Sequence, residues 1–250
     1  MKKLLQIVMD IGEEMLLSGA EIHRVEDSIC RMCNAQGAKR TDVFTTTSSM
    51  VVTLYDDDDE PFTQTRRIAP ANTNIEKIHL LNNLSRKISN KRISLDNVEA
   101  ELDNIRMTKK YSFWMECLAY AMITGGFTIF FGGNFTEGLV SLIIGCIGRF
   151  VVLFIDKTNM TRIFSKFICS LLATILSYIF VFIGIIEDVD MVMIGNIMVL
   201  IPAVGLTNAL RDLLTGHSIA GTVRIIESVT YALAIAAGFL TAALFLGGLK

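Results

Sequence analysis

Of 250 residues, 52% are hydrophobic and 19% charged, more apolar surface than a water-soluble domain of this length keeps out of aggregates. The formal net charge of −2 and the scattered basic residues exclude a nucleic-acid partner, because phosphate binding needs a concentrated positive surface. The five cysteines, Cys30, Cys33, Cys117, Cys146 and Cys169, form no regular disulfide framework and fit a reducing, cytoplasm-facing setting. Most charges precede Phe113, which divides the chain into a polar domain, 1–110, and an apolar one, 111–250.

The chain opens like a secretory leader, with Lys2 and Lys3 before an apolar run, but Asp10, Glu13 and Glu14 interrupt that run too soon. The same residues read as an amphipathic helix with Leu4, Val8, Ile11 and Met15 on one side. From Ile22, the spacing of Val25, Ile29 and Met32 predicts a second helix ending near Gly37. Val43 to Tyr55 and Phe62 to Ile68, joined by the polar turn Asp56 to Pro61, predict a β-hairpin. Asn74 and Ser94 then cap two further helices. The expected fold of 1–110 is a cytoplasmic α+β domain.

Five apolar stretches follow, about 113–131, 135–155, 167–186, 189–209 and 225–249, each long enough to cross a hydrocarbon core of roughly 30 Å as a helix. The expected architecture is a polytopic α-helical membrane protein in a lipid bilayer. Lys109, Lys110, Lys157, Arg162, Lys166, Arg211 and Arg224 fall on one side, whereas the loops 132–134 and 187–188 carry no Lys or Arg. Positive loops stay inside, so the amino terminus is expected in the cytoplasm and the carboxyl terminus outside. An odd number of spans ending close to Lys250 raises the expectation of a partner subunit, and odd-numbered single chains are the alternative.

Several residue groups invite a chemical reading. Cys30 and Cys33 form a C-x-x-C with no second pair, which reads as core more than as a metal site. The acidic run Asp56 to Glu60 lacks calcium-loop spacing and reads as a solvated turn. No metal or cofactor is expected. His23, Arg24 and Glu26 bring imidazole, guanidinium and carboxylate within one helical turn, with a plain polar face as the equal alternative. Ser48 and Ser49 lack the context of a hydrolase nucleophile. In the apolar half, Glu116 and Arg149 fall in the same third of neighbouring antiparallel spans and are expected to pair, for structure or for transport. From Asn196 to Glu227, Pro202 and Gly205 loosen a helix near Asn208, Arg211, Asp212, Arg224 and Glu227, the kind of broken helix on which transporters build sites. The many glycines of this half permit close helix contact, which suits alternating access and ordinary helix association equally, and a homo-oligomer is an open expectation.

The stretches Ser18-Gly19-Ala20-Glu21-Ile22-His23-Arg24-Val25-Glu26-Asp27, Ile201 to Gly216 and Gly221 to Glu227 resemble the bacterial threonine/serine exporter (ThrE) family. The resemblance extends over nearly the whole chain and is specifically to the larger subunit of the split form. It implies a small membrane partner subunit of the same family, location in the bacterial inner membrane, and export of threonine and serine or of dicarboxylates such as succinate, coupled to the proton motive force. Gly19, Ala20, Arg24 and Glu26 match the amino-terminal signature, and Pro202, Asn208, Arg211, Asp212, Gly216, Gly221, Arg224 and Glu227 match the membrane one. Two departures stand out: Pro202-Ala203 replaces the usual Pro-Gly, and His217 stands where an acid is expected.

The leading expectation is therefore a secondary exporter subunit and not an enzyme. Arg211 or Arg224 would bind a substrate carboxylate, and Asp212 or Glu227 would carry the coupling proton. The alternatives are a membrane-anchored hydrolase-like enzyme or a ligand sensor using the amino-terminal domain. The first is disfavoured because no nucleophile, base and orienting group can be named together.

Overall fold

The computed structural model describes residues 1–69, 73–108, 111–158 and 160–247. Lys109, Lys110 and the end of the fifth apolar stretch lie outside the described residues. The chain forms two compact units, Met1–Lys109 with Gly205–Ile225, and Lys110–Val204 with Ile226–Lys250.

In the first unit, α1 (Lys2–Leu17) and α2 (Ile22–Ala35) bury the stripes expected of them: Leu4, Val8, Ile11 and Met15 on one, and Ile22, Val25, Ile29 and Met32 on the other. Three antiparallel strands follow in the order β1 (Arg40–Thr45), β2 (Ser49–Tyr55), β3 (Pro61–Arg67), where the sequence predicts a two-stranded hairpin. The extra turn lies at Thr46–Ser48, where Thr46 Oγ1 accepts from the Ser49 N–H at 3.0 Å and the Thr46 N–H donates to the Ser49 carbonyl at 2.8 Å. Short hydroxyl side chains that bond nearby backbone favour such turns over a continuing ladder. Along β2, Met50, Val52 and Leu54 alternate inward onto the helices. Gly12 permits this layering, since a Cβ there would stand 2.9 Å from both Ile29 and Met50.

Helices α3 (Ile75–Ser89) and α4 (Leu95–Arg106) close the core with Leu81, Leu84, Ile88, Val98 and Leu102. Asn74 caps α3 by accepting from the Lys77 N–H, whereas Ser94 occupies the cap position of α4 without a side-chain bond. The acids that break the opening apolar run have partners. Arg66 on β3 bonds Asp10 and Glu13, and Arg106 donates to Glu14 at 2.8 Å. Ala220, far along the chain, is buried in this same core.

The second unit is helical: α5 (Phe113–Phe130), α6 (Phe135–Asp156), α7 (Arg162–Phe182), α8 (Asp190–Met198) and most of α10 (Ser218–Leu246). Four helices among the described residues are long and apolar enough to cross a membrane, or five if α8 and α9 (Ala203–Leu214), bent by 54° at a short break, count as one span. Large apolar side chains such as Trp114, Phe130, Phe154 and Leu244 point outward, the reverse of a water-soluble fold. The chain is a polytopic helical membrane protein with an amino-terminal α+β region.

The fourth apolar stretch is not one helix, because Pro202 has no N–H to give and its ring displaces the carbonyl one turn back. Lys166 Nζ donates to the Leu200 carbonyl at 2.9 Å, satisfying a backbone group at the break. Helices α5 and α6 approach closely: a Cβ on Gly125 would stand 3.1 Å from the Gly138 carbonyl, and one on Gly145 would stand 3.0 Å from the Tyr120 carbonyl.

Candidate functional site

The amino-terminal motif 18–27 and the segment 205–225 meet in the first unit, about 190 residues apart in sequence. Helix α2 starts at Ile22 with Glu21 at its cap position, and the Glu21 side chain makes no capping bond. Asp212 on α9 supplies the acceptor instead, its Oδ1 receiving the Ile22 N–H at 3.1 Å. A carboxylate there meets an orphan donor and the positive end of the helix dipole. Asp212 is fully buried, and Arg224 on α10, with only 13% of its side chain exposed, places Nη1 at 3.1 Å from Asp212 Oδ2. That contact is ionic and not an aligned hydrogen bond, since Oδ2 accepts none among the described residues.

Arg224 also holds the turn before α2, with Nη2 donating to the Ala20 carbonyl at 2.9 Å, and Asn208 Nδ2 donates to the Gly19 carbonyl at 3.3 Å. Gly19 has φ +84°, and a Cβ there would lie 3.3 Å from Thr73 Cα, so glycine suits this turn on two counts. Arg211 pairs with Glu21 at the surface, its side chain 54% exposed. Gly221 lets the start of α10 close on α9, since a Cβ would stand 2.9 Å from the Ala209 carbonyl.

Helix α2 contributes one more contact of the same kind. Glu26 Oε1 accepts the Thr45 N–H at 2.8 Å, and its Oε2 accepts from His217 Nε2 at 3.0 Å, the tautomer following from that bond. The His217 N–H donates to the Asp212 carbonyl at 2.8 Å, and the His23 ring lies 5.7 Å from that of His217. His217, where an acid was expected, therefore has an acid for a partner. Of the amino-terminal candidates, Arg24 points elsewhere and has no ion-pair partner among the described residues. Glu227 belongs to the second unit, is exposed, and likewise has no ion-pair partner among the described residues.

In the second unit, Glu116 and Arg149 are paired, Arg149 Nε donating to Glu116 Oε2 at 2.9 Å, with the guanidinium between the Phe113 and Tyr120 rings. A second buried polar group there escaped sequence reasoning. Thr124 Oγ1 donates to the Ser141 carbonyl at 2.8 Å, Thr128 and Ser141 share a hydroxyl bond of 2.6 Å, and Asn196 Nδ2 donates to Ser141 Oγ at 3.1 Å. The available signal was Thr124 and Thr128 four residues apart on one helix, with Ser141 and Gly145 equally spaced on the next.

The remaining candidates are structural. Burial pushes the Cys33 thiol up to about 12, which removes its thiolate at neutral pH. Asp56 Oδ1 accepts from the Asp58 and Glu60 N–H groups, making the acidic run a self-bonded turn. Ser49 bonds Thr46 within its own turn. No three His, Cys, Asp or Glu side chains come together to hold a metal ion among the described residues.

The chain is 22% identical over 235 residues to a threonine/serine exporter of Corynebacterium glutamicum, an alignment covering 91% of this chain and 48% of that protein. It therefore spans about half the length of the curated relative that it matches. No solved structure matches. The pattern of the ThrE family, the threonine/serine exporters, matches residues 6–246, nearly the whole chain, and the protein belongs to that family.

Proposed function

We propose that the chain is a subunit of a secondary exporter that moves threonine and serine, or small dicarboxylates such as succinate, out of the cytoplasm with proton coupling. In this reading the first unit faces the cytoplasm of a bacterial cell, the carboxyl terminus lies outside, and a small membrane subunit of the same family completes the pathway. The observation that carries it is the buried Asp212 carboxylate, which holds both the α2 amino terminus and Arg224. Its Oδ2 accepts no hydrogen bond among the described residues and is a place for one proton. Protonation there would discharge the partner of Arg224 and weaken the hold of 205–225 on 18–27, a local switch of the sort that coupling needs. Arg211, exposed and paired only at the surface, is the better placed of the two arginines to take up a substrate carboxylate.

The test is efflux of preloaded labelled threonine, serine and succinate from cells expressing the chain alone and with a small co-encoded membrane partner, with and without a protonophore. Protonophore-sensitive, partner-dependent efflux of one compound is expected. Asp212→Asn should abolish it while leaving insertion intact, and unchanged coupled efflux in that variant removes Asp212 from the mechanism.

A further inference from the structure

Helices α2 and α3 pack through their apolar stripes, and a polar groove of about 540 Å³ runs along one side of the pair. Its walls are two stripes of the same spacing. Arg24, Asp27, Ser28 and Arg31 recur at i, i+3, i+4 and i+7 on α2, and Asn82, Ser85, Arg86 and Ser89 recur at those intervals on α3. Ser28 and Ser85 are buried and form the floor, whereas Arg24, Arg31 and Arg86 are exposed at the rim. Asp27 accepts from Arg31 Nε at 2.9 Å and so orients that guanidinium. Arg24 and Arg86 have no ion-pair partner among the described residues.

Three cations and one anion around a concave surface leave a net positive charge of two, with the cations repelling one another. On a convex helix face water would separate them; here they share one groove with hydroxyl and amide groups, and an anion of matching charge relieves the repulsion. Among the described residues no apolar or aromatic side chain lines the groove, which disfavours a nucleobase or an acyl chain. Guanidinium groups bind planar or tetrahedral oxyanions through paired N–H donors.

We propose that this groove binds a small soluble oxyanion with two or more negative charges, a di- or tricarboxylate or a phosphate, and that it is a regulatory site separate from the Asp212 cluster. Its position supplies the route to regulation, because α2 carries the groove on one face and the contacts to Asp212 and His217 through Ile22 and Glu26. The proposal does not depend on which compound the protein exports.

The full chain in phosphatidylcholine nanodiscs is titrated with succinate, citrate and inorganic phosphate, each against sodium chloride at equal ionic strength, by calorimetry and thermal midpoint. At least one of these anions should bind saturably and raise the midpoint where chloride does not. Arg86→Gln, at an exposed position, should weaken that binding at least tenfold with an unchanged circular dichroism spectrum, and Ser89→Asp should do the same by placing a negative charge in the groove wall. Dependence on Arg86 separates this groove from any transport site for the same compound. Absence of saturable binding, or binding within twofold of the parent in both variants, overturns the proposal. So does Arg86-dependent binding seen only in nanodiscs containing phosphatidylglycerol, which would assign the groove to a lipid headgroup.

Discussion

Asp212 and Arg211 are neighbours in sequence with opposite physical circumstances, and their substitutions should differ accordingly. Asp212→Ala strands the largely buried Arg224 and the Ile22 N–H, a loss on the order of 3 kcal/mol. Arg211→Ala removes a surface pair with Glu21 and should cost about 0.5 kcal/mol or less. Thermal midpoints of the two variants in the same detergent check the contrast, and similar midpoints would mean that Asp212 is not the tie it is drawn to be. The buried Cys33 thiol makes a separate prediction in pH. An unfolded thiol ionises near 9 and the folded one near 12, so the folded chain holds more protons in between and stability falls as pH rises through that window. Cys33→Val should flatten that part of the alkaline stability profile, and iodoacetamide at pH 8 should leave Cys33 unmodified in the folded chain. The residue types at 208–224 were legible from sequence as expensive groups in an apolar half. Their partners, Gly19, Ala20, Glu21 and Ile22, were not, because nothing local ties one helix end to a carboxylate 190 residues away.

At the scale of elements, local pattern and local chemistry explain most of what forms. Hydrophobic spacing on α1 and α2 predicts the stripes that are buried, and four of the five apolar stretches become long helices, the fourth stretch being broken at Pro202. The β1–β2 turn was missed because its signal is a run of hydroxyl residues inside a strand-like segment, without the glycine or proline that usually marks a turn. The buried Thr124, Thr128, Ser141 and Asn196 group was missed for a related reason: each residue alone is ordinary in a membrane helix, and only packing makes them a network. That packing makes Gly195 sensitive. A Cβ there would stand 2.7 Å from the Thr124 carbonyl, so Gly195→Ala must push backbone apart and should cost on the order of 2 kcal/mol. Gly126, with open space around its Cβ position, is the control, and Gly126→Ala should leave the midpoint nearly unchanged. Equal effects of the two would contradict the close approach of α5 and α8.

At the scale of the whole molecule, the first unit is completed by residues 205–225, and Ala220 lies in its core. A fragment ending at Thr108 should therefore be less stable than the same region in the full chain, with faster amide exchange at the start of α2 than in α3. Adding a peptide of residues 205–225 should restore protection there, and a fragment already as protected as the full chain would show that the segment is not needed. Family membership, the α+β region and the number of apolar stretches followed from the sequence by itself, because hydropathy, capping residues and motif identity are carried by short windows. The joining of 18–27 with 205–225, the pairing of His217 with Glu26, and the gathering of three arginines on one groove were decided only by the tertiary structure, because they depend on which faces of distant helices are brought together when the apolar stripes are buried.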